Sequence, residues 1–203
     1  QVTNLTYVDR GVGNYIADFQ ILSNGNLIIL TQDGYVNLWE YDNGNRSPPR
    51  LLNWERLSID RKERLTAMNV ERFVSIAVCP RNIYVAVSSC IGENDSMRRL
   101  FWLRINHRME IEEKVKTLLT SHHPYQSALR AMVFYGYVSE FPVLYAIEGV
   151  GESSLWSFYY DGSQIQYFKE KRRDYMMDEV HKMIKLGDSI YSLDFKGNFL
   201  KYS

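Results

Sequence analysis

The chain has 203 residues, 45% of them hydrophobic and 24% charged, and this ordinary globular composition excludes an intrinsically disordered protein. Its 24 Lys and Arg residues balance 24 Asp and Glu residues, so no net positive field attracts nucleic acid, and we expect no nucleic-acid partner. The longest apolar runs, such as 143–147 and 27–30, are much shorter than the roughly 20 residues that cross a bilayer, so we expect no membrane insertion.

The first predicted elements are three short strands joined by two tight turns. Apolar stretches at 15–22, 27–31 and 35–42 are separated by Ser23-Asn24-Gly25-Asn26 and by Gln32-Asp33-Gly34. Asn-Gly and Asp-Gly between apolar runs are strong hairpin signals. The sequence therefore predicts an antiparallel meander at the start of the chain.

The same pattern recurs along the chain at intervals of about 50 to 57 residues, which indicates a repeat architecture. We place four repeats at 15–59, 74–119, 128–172 and 180–203, within one domain that covers 1–203. Their further strands are predicted at 74–78, 83–89 and 99–105, at 128–136, 143–149 and 154–161, and at 180–186, 189–195 and 199–203.

More polar segments follow the first three meanders, at 51–59, 109–119 and 163–172. Each is predicted as a fourth, outer strand, because mixed polarity protects a sheet edge from pairing with other chains. Segment 109–119 is rich in Glu and Lys and is also compatible with a short helix. Four-stranded meanders repeated radially are typical of an all-β propeller, so we predict about four four-stranded antiparallel blades.

Residues 33–40, Asp-Gly-Tyr-Val-Asn-Leu-Trp-Glu, distantly resemble the end of a WD-type repeat, in which an Asp-Gly turn precedes a strand that ends in Trp and an acidic residue. Weaker likenesses stand at Leu155-Trp156, Phe101-Trp102 and Leu200-Lys201-Tyr202. The resemblance implies a β-propeller that presents loops and sheet edges to other proteins.

Two arrangements of the blades are compatible with the repeats. Residues 4–10 resemble an outer strand and would complete the last sheet, which gives a small closed ring of four blades. The four blades would otherwise form part of a larger ring, whose exposed sheet edges would bind partners by strand addition.

The cysteines and the glycosylation sequons favour different compartments. Cys79 and Cys90 are predicted at opposite ends of one hairpin, too far apart for a disulfide, and unpaired thiols favour an intracellular, reducing compartment. Asn4, Asn45 and Asn94 begin N-glycosylation sequons in a terminus or predicted loops, which favours secretion. The start at Gln1 is compatible with a processed terminus or with a fragment.

No catalytic constellation stands out, and we expect no enzyme, no cofactor and no metal site. The loop pair His122-His123 lacks further ligands at metal-binding spacing, and no Gly-x-Ser-x-Gly elbow is present. Asp18, Glu148 and Asp194 would line a central funnel if the protein were a propeller hydrolase.

The leading interpretation is therefore a non-catalytic protein-interaction module or a scaffold subunit of a larger assembly. The alternatives are a secreted, N-glycosylated recognition or signalling protein and a propeller-type hydrolase. The predicted partner-binding residues form a loop face that comprises Asp95, Arg98, His122, His123, Tyr125 and Glu152. A basic edge on the third outer strand comprises Lys169, Lys171, Arg172 and Arg173, and such an edge would suit an acidic partner.

Overall fold

The computed structural model describes residues 13–41, 49–57, 71–79, 81, 84–91, 97–120, 129–148, 154–169, 180–194 and 196–202. All regular elements among them are β-strands, grouped in four antiparallel sheets that we call blades 1 to 4. Blade 1 contains β1 (Ile16–Ile21), β2 (Leu27–Thr31), β3 (Tyr35–Glu40) and β4 (Arg50–Arg56), and blade 2 contains β5 (Glu71–Val78), β6 (Tyr84–Ile91), β7 (Met97–Ile105) and β8 (Ile111–Thr120). Blade 3 contains β9 (Leu129–Val138), β10 (Phe141–Glu148), β11 (Ser154–Tyr160) and β12 (Ile165–Lys169), and blade 4 contains β13 (Val180–Leu186), β14 (Ser189–Asp194) and β15 (Phe199–Tyr202).

Each blade is a meander in which neighbours along the chain are neighbours in the sheet. The first strands of successive blades contact one another, β1 with β5, β5 with β9 and β9 with β13. The first strand of each blade is therefore innermost, and the blades are arranged radially around a common centre. The predicted all-β fold with four antiparallel blades is confirmed, whereas the closing strand predicted at 4–10 lies outside the described residues.

Segment 109–119 forms a strand and not a helix, because β8 pairs with β7 along its whole length. The predicted start at residue 109 was wrong by two residues, for a local reason. Asn106 Oδ1 accepts hydrogen bonds from the backbone N–H groups of Arg108 and Glu110, and Met109 has a φ of +60°. An Asn side chain that bonds to its own turn in this way stabilises the turn in place of the sheet ladder, so the strand begins only at Ile111.

The predicted Gln32-Asp33-Gly34 turn also connects blade 1 to blade 2. Gly34 has a φ of +89°, and a Cβ at this position would meet the ring of Phe73 at the start of blade 2. The backbone N–H of Phe73 donates to the carbonyl of Gln32 in the same turn, at 3.0 Å. Only glycine combines this backbone conformation with so close a neighbour.

The hydrophobic core is divided into three clusters, one at each junction between consecutive blades. The first joins blades 1 and 2 through residues such as Ile28, Leu38, Val87 and Phe101. The second joins blades 2 and 3 and includes Trp102 and Phe134, whose rings meet edge to face with centroids 5.1 Å apart. The third, smaller cluster joins blades 3 and 4 around Ala131, Ile147, Met183 and Ile190. Sheet faces packed on sheet faces therefore hold the blades together.

A hydrogen bond between blade 3 and the outer strand of blade 2 reinforces the second junction. The Tyr160 hydroxyl on β11 donates to Oε1 of Glu113 on β8 at 2.6 Å and lies 2.9 Å from the carbonyl of Gly162. This bond to a carboxylate, together with burial, raises the pKa of Tyr160 to about 12. The protonated phenol is therefore the form that the fold favours.

Blade 2 contains a buried charge pair that spans three of its strands. Glu71 on β5 lies 3.2 Å from the Arg99 guanidinium on β7 and accepts a hydrogen bond of 2.5 Å from Ser89 on β6. The Glu71 side chain is fully buried, and that of Arg99 is 7% exposed. Buried charges are tolerated only when paired and hydrogen-bonded, so this cluster fixes the relative positions of the three strands.

The two cysteines are free and buried, which confirms the prediction that they do not bridge each other. Cys79 follows the end of β5, whereas Cys90 pairs with Arg72 at the start of that strand. The hairpin therefore places the two thiols at opposite ends, as the sequence indicated.

Candidate interaction surface

Most residues of the predicted loop face and basic edge lie outside the described part of the chain. The same holds for the three sequons, so their roles stay predictions. The residues concerned are Asp95, His122, His123, Tyr125, Glu152, Lys171, Arg172, Arg173, Asn4, Asn45 and Asn94.

Two of the predicted partner-binding residues do fall on strands. Arg98 was placed beside a loop, but it lies within β7, opposite Cys90, and is only 4% exposed. Its guanidinium is thus not presented on the surface of the isolated chain. Lys169 ends β12, where its backbone pairs with Trp156. Their roles in partner binding stay predictions.

The carboxylates considered for a central funnel are engaged in different local structures. Asp18 lies on the innermost strand of blade 1, where Oδ2 accepts hydrogen bonds from the Ile76 backbone N–H at 3.0 Å and the Ser75 hydroxyl at 3.3 Å. Its other oxygen lies 3.5 Å from Nζ of Lys182 on β13. Asp18 therefore links three blades at the centre of the molecule.

Asp194 instead closes a turn at the end of β14, where its backbone pairs with Val180 on the innermost strand, β13. Both of its oxygens accept hydrogen bonds of 2.7 Å from Asn198, one from the backbone and one from the side chain. Burial raises the pKa of Asp194, but these hydrogen bonds outweigh burial, and the net shift is downward. The contacts of Asp194 are those of a turn-forming residue. Of Glu148, the structure describes only the backbone at the end of β10.

Within the part of the chain that the structure describes, no group of three or more His, Cys, Asp or Glu side chains comes together to hold a metal ion. The same residues contain no helix long and apolar enough to span a bilayer.

An apolar surface lies on the side of blade 1 that faces away from blade 2. We call it the free face of blade 1. Cross-strand pairing places its residues in two rows, Phe19-Ile29-Asn37-Trp54 and Ile21-Leu27-Trp39-Leu51. Phe19, Ile21 and Trp54 are 54%, 68% and 47% exposed. Seven of these eight side chains are apolar or aromatic, so this face has the composition of a core rather than of a solvated surface.

Among the residues that the structure describes, no hydrogen-bond partner is found for two buried polar atoms on this face, Oδ1 of Asn37 and Nε1 of Trp39. Asn37 is only 2% exposed, so water does not reach it freely. Buried polar groups are hydrogen-bonded in most native structures.

Blade 4 has an equivalent surface on its side away from blade 3, which we call the free face of blade 4. The alternation along β13 to β15 directs Met183, Ile190 and Leu200 toward blade 3. The opposite side chains are exposed, with Leu186 and Phe199 both at 56%. The apolar members of this face are Ile184, Leu186, Tyr191, Leu193 and Phe199.

The sequence analysis missed both free faces, although a signal was present. The run LIIL at 27–30 is continuously apolar, and such a run indicates a strand buried on both sides. In the structure Ile28 and Leu30 are fully buried against blade 2, whereas Leu27 and Ile29 point to the free face and are only partly buried.

Comparison with known proteins gives matches among solved structures but not among sequences. No family model and no curated protein matches the sequence. Solved structures do match, and one is the WD40 domain of SCAP from fission yeast, with a TM-score of 0.52 and 13% identity over 93% of this chain. The fold is a β-propeller. The Vanderwaltozyma polyspora Nup133 β-propeller domain gives the same TM-score, with 12% identity over 92% of this chain. This propeller spans 39% of the SCAP chain and 55% of the Nup133 chain.

Proposed function

We propose that this β-propeller is a non-catalytic protein-interaction module, and that it binds partner proteins through the free faces of blades 1 and 4. The observation that carries the proposal is the free face of blade 1, where Phe19, Ile21 and Trp54 are each about half exposed or more. Monomeric soluble proteins rarely leave contiguous apolar patches of this kind uncovered. Such patches mark protein-protein interfaces, in which aromatic anchors dominate the binding energy.

The charged groups described above support a non-catalytic role. Glu71, Asp18 and Asp194 each accept hydrogen bonds from groups that position a strand or a turn. A catalytic acid or base needs instead a reacting group within hydrogen-bond reach in a shared pocket. The balanced charge of the chain supports protein partners rather than nucleic acid.

The two free, buried thiols support a reducing, intracellular compartment for this module, since disulfides form and persist mainly in oxidising compartments. Intact mass of the protein from its native source tests this placement. A mass equal to that of the bare chain agrees with it, whereas added glycan mass on Asn4, Asn45 or Asn94 would assign the protein to the secretory route.

Substitution on the free face tests the interaction role. Phe19→Asp and Ile21→Asp place charges in the proposed interface, and Leu118→Asp is the matched control, because Leu118 is an exposed apolar residue on β8, away from both free faces. The full-length chain, carrying an affinity tag, is cross-linked in extract of its native cells, and the captured proteins are quantified by mass spectrometry. Co-expressed untagged chain is included, so that self-association is counted.

We expect the two face variants to lose specific capture about tenfold or more, as is usual for a disrupted interface centre, while the control retains it. Circular dichroism must show the same β-sheet spectrum and a similar melting temperature for all three variants. Equal capture by the wild type, the face variants and the control would contradict the proposed function.

A further inference from the structure

The junction between blade 4 and blade 1, which we call the seam, differs from the other three junctions. Each of the others contains a hydrophobic cluster. Among the described residues, an ion pair between Lys182 on β13 and Asp18 on β1 crosses the seam. On either side of it lie the exposed side chains Phe19, Ile21 and Trp54 of blade 1 and Leu186 and Phe199 of blade 4.

The ion pair at the seam contributes little to holding the molecule closed. The Lys182 side chain is 40% exposed and that of Asp18 is 18% exposed, with 3.5 Å between the charged atoms. Solvent screens a pair of this kind, and ordering a long Lys side chain offsets much of the Coulomb attraction. The seam is therefore the place at which the ring opens most easily.

We infer that a second copy of this chain covers the free faces. Blade 4 of each copy packs against blade 1 of the other, and the two chains form one ring of eight blades. The inference rests on the proposed function, since it names the partner of the same two faces. Lys182 of one copy then pairs with Asp18 of the other, so the charge contact now seen within one chain is exchanged for two identical contacts between chains.

Symmetry favours this partner. In this ring, blade 4 of each copy contacts blade 1 of the other, so the two junctions are identical and are related by a two-fold axis. Neither copy then has an uncovered free face. Eight blades lie within the usual range for propellers. The solved propellers on which the chain superposes are also longer than this chain, which spans 39% and 55% of them, so its blades fit as part of a larger propeller.

The available area distinguishes this ring from simpler dimers. Strands about 4.8 Å apart and about six residues long give each free face roughly 300 to 400 Å². Two junctions then bury about 1,200 to 1,600 Å² in total, which lies in the range of specific interfaces, whereas a single junction buries only half as much. Pairing blade 1 with blade 1 would use one junction and would leave both blade 4 faces exposed.

A cross-linking experiment tests the exchange directly. One full-length chain carries Asp18→Cys and a second chain, of different tag length, carries Lys182→Cys. The native thiols Cys79 and Cys90 are buried. The wild-type chain, treated with the same reagent, shows how much cross-linking these two thiols contribute. A flexible bis-maleimide is used, because Lys182 reaches Asp18 through a long side chain and disulfides tolerate Cα separations of only about 7 Å.

We expect the mixture of the two variants to give a cross-linked heterodimer, while each variant alone gives none, because positions 18 and 182 meet only each other. Absence of the heterodimer, or equal cross-linking of each variant with itself, would overturn the inference. A chain that carries both cysteines reports on the closed monomer, and purely intramolecular cross-linking at all concentrations would overturn it as well.

Sedimentation equilibrium provides the independent readout. The wild type is expected at twice the 23.9 kDa of one chain, while Ile21→Asp and Leu186→Asp each raise the dissociation constant about tenfold or more. A Leu186→Asp chain that dimerises like the wild type would show that blade 4 is not involved and would overturn the inference. A monomeric wild type that still captures another protein through Phe19 and Ile21 would overturn it too, but would leave the proposed function standing.

Discussion

Replacing Glu71 by leucine removes the negative member of the buried charge pair in blade 2. The Arg99 guanidinium, 7% exposed, then remains in the protein interior without the carboxylate that now lies 3.2 Å away. Removing one partner of a buried pair costs about 3 to 5 kcal/mol, because the desolvation cost of the remaining charge is no longer offset.

The exposed pair between Arg50 and Glu40 provides the control. Its atoms are closer, at 2.8 Å, but the side chains are 71% and 47% exposed. A surface pair of this kind contributes about 0 to 1 kcal/mol. Burial rather than distance thus decides the expected difference between Glu71→Leu and Glu40→Leu.

Thermal unfolding followed by circular dichroism measures the effect. For a chain of this size, 1 kcal/mol shifts the melting temperature by about 2 to 4 °C, so Glu71→Leu is expected to lower it by about 6 to 20 °C. The double variant Glu71→Leu/Arg99→Leu should recover part of the loss, because the buried guanidinium charge is removed together with its carboxylate. A Glu71→Leu chain no less stable than Glu40→Leu would refute the reasoning, and so would a double variant whose loss equals the sum of the single ones.

Two further substitutions test single contacts. Tyr160→Phe removes the hydrogen bond to Glu113 and is expected to lower the free energy of unfolding, measured with urea, by about 1 to 2 kcal/mol. Because the pKa of Tyr160 in the folded chain, about 12, lies above the ordinary value of about 10, this loss should be constant below pH 10 and should shrink above it. A loss that grows above pH 10 would contradict this account. Gly34→Ala should cost more stability than Gly25→Ala, because both positions have φ near +90° but only at Gly34 would a Cβ meet the Phe73 ring; equal melting temperatures for the two variants would show that the ring moves aside without cost.

The strand order could be predicted from the sequence because its signals are local. The turn at Ser23–Asn26 and the Asp33-Gly34 turn each join apolar runs, and the structure has β1, β2 and β3 on either side of them. Hairpin geometry depends on residues that are adjacent in the chain. A local competitor also explains the misplaced start of β8, where the Asn106 side chain extends the turn.

The free faces and the buried charge pair could not be predicted in the same way, because they depend on contacts between distant residues. Glu71 and Arg99 are 28 positions apart and meet through the register of β5, β6 and β7. Whether Leu27 or Ile28 is covered depends on which side of β2 the next blade packs. The alternation along a strand gives two faces but does not say which of them has a neighbour.

The division of the core into three clusters has a consequence for how the molecule unfolds. Blades 2 and 3 are held by clusters on both sides, whereas blades 1 and 4 are each held by one. In a chain of repeats the stability of each unit is roughly the sum of its own and its neighbours' contributions. The end blades therefore open first, and their backbone amides should exchange with solvent deuterium well before those of the middle blades. Any partner that covers the ends would slow that exchange where the chain is weakest, so binding and resistance to unfolding are thermodynamically linked in this propeller.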